Sequence, residues 1–125
     1  MIKNELKWEP LNVCNLQYLT EMMGGKNNLI KGIIETFLQQ VPDELNGINT
    51  AIEKTDYQTI KSLAHTMKSS VSIMGISLLI PILQEMENLG TNATDIGRVK
   101  ELSLKLNLIC QQAFKEVENA KNNYI

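Results

Sequence analysis

The sequence predicts an all-α fold, an antiparallel up-down four-helix bundle with a short additional N-terminal helix. Three observations carry that expectation. Apolar residues recur three or four apart along almost the whole chain, and no strand-like alternation of useful length interrupts them. The connections between the apolar stripes are short, which makes consecutive helices antiparallel neighbours. The length of 125 residues, 43% hydrophobic and 21% charged, suits one domain with a single core. The expected unit is therefore one domain over residues 1–125, with the core bundle spanning about residues 27–120.

Each helix has its own signals. Val13, Leu16, Leu19, Met22 and Met23 outline the short first helix, and Gly24 and Gly25 close it. Asn27 or Asn28 then offers an N-cap. The next stripe, Ile30, Ile33, Ile34, Phe37, Val41, Leu45, Ile48 and Ile52, keeps its register through Pro42. Proline removes a helical hydrogen bond and crowds the preceding turn, so one long helix kinked at Pro42 is expected. Thr55 and Gln58 form a capping box ahead of a third helix. That helix carries Tyr57, Ile60, Leu63, Ala64, Met67, Val71 and Met74, and Gly75 and Ser77 break it. A fourth helix holds Leu79, Ile82, Leu83, Met86 and Leu89, with Pro81 near its first turn, where proline is tolerated. Gly90 to Asp95 reads as a turn-rich loop, and Thr94 or Asp95 caps the last helix. Val99, Leu102, Leu106, Ile109, Ala113 and Val117 give that helix its apolar face, and residues 121–125 are expected to fray.

Composition removes several function classes. Net charge is −2, and Arg98 is the only arginine, so neither a basic footprint for nucleic acid nor bidentate guanidinium recognition is expected. Cys14 and Cys110 lie far apart, outside any CxxC spacing, and read as two small buried residues in a reducing compartment. No stretch approaches the roughly 18 apolar residues of a membrane span. The first ten residues lack the apolar core of a signal peptide. The expectation is a soluble cytoplasmic domain without metal.

His65 is the only histidine. With Ile60 set at zero and about 100° per residue, the apolar positions of the third helix fall within about 60° of it. His65 then lies at about 140°, Ser69 at about 180°, Ser72 at about 120°, Lys68 at about 80° and Ile73 at about 220°. The imidazole therefore faces away from the core, among small hydroxyl residues and with a lysine one turn along. Helical phase alone favours an ordinary surface histidine. Neutral imidazole is nevertheless a good nucleophile near neutral pH. Lys68 would place positive charge beside an incoming phosphoryl group, and Ser69 adds little bulk over the site. Ile73 would offer an exposed apolar docking contact.

The run Ala64-His65-Thr66-Met67-Lys68-Ser69-Ser70-Val71-Ser72-Ile73-Met74-Gly75 resembles the signature of histidine phosphotransfer (HPt) domains, AHxxKG with a further glycine ten residues after the histidine. Phe37, Pro42, Asp56, Leu83 and Met86-Glu87 also stand where that family has similar residues, so the resemblance covers about residues 28–90. It implies a four-helix bundle that carries phosphate and has no ATP site of its own. His65 would be phosphorylated, on Nε2, and Lys68 would meet the phosphoryl group. Ser69 replaces the usual glycine and adds a hydroxyl near the phosphoryl oxygens. Gly75 would end the third helix. Glu87 on the fourth helix would accept a hydrogen bond from Nδ1, and Gln84 lies close enough to compete for that role. The docking face would comprise Ser69, Ser72, Ile73 and Gly75.

The implied partners are response-regulator receiver domains and a hybrid sensor histidine kinase, with Mg²⁺ held by the receiver and no cofactor on this chain. A monomer is expected. Two other readings stay open at this level: a non-catalytic helical interaction module, and the phosphoacceptor domain of a chemotaxis-type histidine kinase.

Overall fold

The computed structural model describes residues 12–122, and among them the chain forms five α-helices and no strand. Helix α1 is Leu16–Met22, α2 Asn27–Glu53, α3 Tyr57–Ile73, α4 Leu79–Asn92 and α5 Ile96–Lys121. The expectations for residues 1–11 and for fraying at 123–125 lie outside the described residues.

The four long helices pack in a cycle, α2 on α3, α3 on α4, α4 on α5 and α5 back on α2. Side-chain pairings show that neighbours run antiparallel. Phe37 meets Phe114 edge-on at 6.0 Å while Asn49, further along α2, bonds Asn107, earlier on α5. The apolar stripes meet in one core, in which Ile34, Ile48, Ile60, Met67, Leu83, Met86, Val99 and Leu106 are fully buried. Burial of this kind, at about 25 cal/mol per Å² of apolar surface, is the main drive for assembling the helices. Helix α1 lies against the turn after α3, with Leu19 buried and the Asn15 N–H donating to the Met74 carbonyl at 2.9 Å. Glu116 of α5 secures the chain just before α1 by accepting from the Val13 and Cys14 N–H groups.

Helix boundaries moved in three places, each for a local reason. Neither Asn27 nor Asn28 caps α2. Lys26 occupies the N-cap position without a side-chain bond, and Asn27 is already helical. The left-handed turn at Gly24 and Gly25 brings Lys26 directly to the helix start, where its carbonyl accepts from the Leu29 and Ile30 N–H groups. The Thr55–Gln58 capping box is not used. Thr55 has φ +52° at the end of α2, and Asp56 caps α3 instead, accepting from the Thr59 N–H at 3.2 Å and the Thr59 hydroxyl at 2.7 Å.

The expected loop from Gly90 to Asp95 shrinks to Ala93–Asp95, because α4 continues to Asn92 and buries Gly90. Asp95, with Thr94 beside it, is the cap of α5. In α5 the buried position is Cys110, with its neighbour Ile109 half-buried. Pro42 lies within α2, which runs as one helix through it. Cys14 is half-buried, and burial pushes the thiols of both Cys14 and Cys110 up to about 12, making them inert as nucleophiles at neutral pH.

Candidate functional site

Helices α3 and α4 build the site because they run antiparallel at unusually short range. Gly90 permits this. A Cβ at that position would lie 2.9 Å from the Lys61 backbone nitrogen and 2.9 Å from the Tyr57 carbonyl oxygen. Its place seven residues along from Leu83 and four from Met86 was visible as core spacing, although glycine itself signalled a loop. With the two backbones this close, residues one turn apart on α3 face residues one turn apart on α4.

His65 stands on the outer side of α3 with its side chain 69% exposed, as helical phase indicated. Its Nδ1 lies 3.0 Å from Glu87 Oε2. Glu87 is only 17% exposed, and its other oxygen, Oε1, is buried with the Lys68 ammonium 2.7 Å away. Lys68 Nζ also donates to Gln84 Oε1 at 2.6 Å, and Gln84 Nε2 donates to Asn88 Oδ1 at 2.9 Å. The hydrogen bond from Lys68 holds the Glu87 carboxyl below the usual carboxylate range; desolvation opposes this, and the contact with His65 assists it.

An ionised carboxylate can only accept, so Nδ1 carries the imidazole proton and Nε2 is left with the lone pair. The competition between Glu87 and Gln84 is thereby resolved: Glu87 meets His65, and Gln84 meets Lys68. Asn88 completes the row and was not singled out from the sequence. Its signal was its position four residues after Gln84 on the same face.

The rest of the expected docking face separates into two parts. Ser69 and Ser72 are exposed, and the Ser72 hydroxyl donates back to the Lys68 carbonyl at 2.7 Å. Ile73 is 39% exposed and borders an open apolar groove between α2 and α3, with Leu29, Ile33 and Phe37 on its far side. Gly75 belongs to the turn instead of this face. It has φ +65°, and a Cβ there would lie 2.6 Å from the Asn15 Cβ and 3.1 Å from the Asn15 nitrogen. Among the described residues no group of three or more His, Cys, Asp or Glu side chains could hold a metal ion. None of the helices is long and apolar enough to cross a membrane.

The fold and site thus define an antiparallel helical bundle that presents one exposed imidazole, backed by a carboxylate, beside a lysine. The sequence pattern of the Hpt domain matches residues 32–120, and the chain belongs to that family, making it a histidine phosphotransfer protein. The fold is shared with the crystal structure of histidine-containing phosphotransfer protein B (HptB) from Pseudomonas aeruginosa PAO1. That match has a TM-score of 0.83 at 17% identity and covers 93% of this chain and 100% of that one. No curated protein matches the chain. Members of the family are phosphocarriers that work with receiver domains in phosphorelays.

Proposed function

We propose that His65 accepts a phosphoryl group from the phospho-aspartate of one receiver domain and passes it to the aspartate of another. The observation that carries this reading is the 3.0 Å contact between Nδ1 and Glu87 on an imidazole that is otherwise open to solvent. In the forward step the Nε2 lone pair attacks phosphorus, the P–O bond to the aspartyl carboxylate breaks, and that carboxylate leaves with the electron pair. The ring gains positive charge as the N–P bond forms, and the Glu87 carboxylate on Nδ1–H stabilises that charge. In the second step a carboxylate oxygen of the accepting aspartate attacks phosphorus, a new P–O bond forms, and the N–P bond breaks with its electron pair returning to Nε2.

Lys68 has three N–H donors, two of them engaged by Glu87 and Gln84, which leaves one for a phosphoryl oxygen. Such a transfer depends chiefly on positioning and charge, so one nucleophile on a helix suffices when the partner supplies the rest. In this reading Mg²⁺ belongs to the receiver, the chain needs neither cofactor nor ATP site, and it serves in the cytoplasm as a folded carrier. The receiver sits over Ser69, Ser72 and Ile73, and a hybrid sensor kinase is a natural upstream source.

The test uses a phosphorylated receiver as donor. His65→Gln should keep the helical fold and lose acid-labile, base-stable labelling; stoichiometric labelling of that variant would falsify the assignment. Labelling by an ATP-loaded kinase domain in preference to receivers would move the chain to the chemotaxis-type role.

A further inference from the structure

Among the described residues, the outer face of α5 is unpartnered. With Leu106 set at zero, Leu104 lies at about 160°, Leu108 at about 200°, Gln111 at about 140°, Lys115 at about 180° and Glu101 at about 220°. The face thus reads Glu101, Leu104, Leu108, Gln111, Lys115, with alternating steps of three and four residues, the seam spacing of paired helices. Leu104 is 69% and Leu108 73% exposed, the two most exposed large apolar side chains among the described residues. Helices α2 and α4 cover only the opposite side of α5. Scattered leucines on a surface are ordinary, but two in register at the outermost positions of a 26-residue helix form a seam.

The charges on this seam say what fits it. Glu101, at the N-terminal end, is 68% exposed, and its contact with Arg98 at 3.2 Å leaves it open to a second cation. Lys115 is exposed at the C-terminal end. A second copy laid antiparallel brings each Glu101 within about one helical turn of the other copy's Lys115 while Leu104 meets Leu108. A parallel copy would set like charges against each other.

We propose that α5 pairs antiparallel with α5 of a second copy to form a weak homodimer. The seam is far smaller than the roughly 800 Å² per partner of a stable interface, so association belongs near 0.1–1 mM, an order-of-magnitude range. Because α5 lies diagonally across the bundle from α3, both His65 sites stay open in the dimer. The inference does not depend on whether His65 is phosphorylated.

Sedimentation equilibrium of the full chain up to about 1 mM should show a monomer–dimer equilibrium, and Leu104→Ser/Leu108→Ser should abolish it with the helical circular dichroism unchanged. Carbodiimide treatment of an equal mixture of ¹⁴N and ¹⁵N protein should yield mixed-isotope Glu101–Lys115 cross-links. A chain that stays monomeric over this range, a double variant that associates like the parent, or a dimer lacking that mixed cross-link overturns the proposal.

Discussion

Glu87→Gln isolates the charge that the site places behind His65. The amide oxygen of glutamine can still accept from Nδ1–H, so the variant keeps a hydrogen bond and removes only its anionic character. A hydrogen bond to a charged group contributes about 1.5–3 kcal/mol and a neutral one about 0.5–1.5, a difference of about 1–1.5 kcal/mol. The imidazole is 69% exposed, so water screens part of this, and the lower end applies. In the proposed mechanism the ring becomes cationic as the N–P bond forms, so the part of this difference that grows with the ring charge falls on the transition state. At about 1 kcal/mol it corresponds to transfer slowed at most about fivefold.

Rapid-quench transfer from a phosphorylated receiver, run over a range of chain concentrations, separates the maximal rate from docking. The expected result is a lower maximal rate at unchanged half-saturation, because Glu87 is largely covered. Lys68 loses its anionic partner in the same variant but keeps Gln84, and a double-mutant cycle with Lys68→Met separates the two contributions. An unchanged rate, or a loss confined to half-saturation, refutes the electrostatic role.

The other predictions concern access, packing and pH. Ser69→Tyr should block transfer at nearly unchanged melting temperature, since Ser69 is exposed beside the imidazole; normal transfer by the variant would misplace the docking face. Gly90→Ala gains about 1 kcal/mol of helix propensity but pushes a Cβ against the α3 backbone, an overpacking cost of about 1–3 kcal/mol that backbone atoms cannot relieve. The expected outcome is a lower melting temperature together with slower transfer, as α4 moves away from His65. A variant more stable than the parent would show that the two helices have slack.

The depressed Glu87 pKa means its stabilising contribution is fully present above its ordinary value of 4.5 and is lost as pH falls through its lower folded value. A ¹³C titration of the Glu87 side chain should therefore show it still ionised at pH 4.5, whereas a midpoint at or above 4.5 would remove the support attributed to Lys68.

Periodicity made the helices legible because each amphipathic helix records its buried face in spacing alone. The same arithmetic placed His65, Ser69, Ser72 and Ile73 outside the core, and the observed exposures agree. Boundaries were less legible where several residues could serve the same end. Thr55 and Asp56 are both good N-caps, and the left-handed backbone that closes α2 at Thr55 leaves the role to Asp56. Gly90 misled because glycine marks loops by propensity, while here its missing side chain is needed for contact between α3 and α4. Gly75 was legible as a helix end, but its cover by Asn15 comes from the N-cap of α1, sixty residues earlier in the chain.

By itself, then, the sequence determined the helical class, the core stripes and the exposed face of His65, since these follow from the order of residues along one helix. Only the tertiary structure decided what stands behind the imidazole. Which carboxylate or amide reaches Nδ1 depends on the distance and stagger between α3 and α4. Those are set by side chains on both helices packing together and by the close approach at Gly90, quantities that no single helix contains.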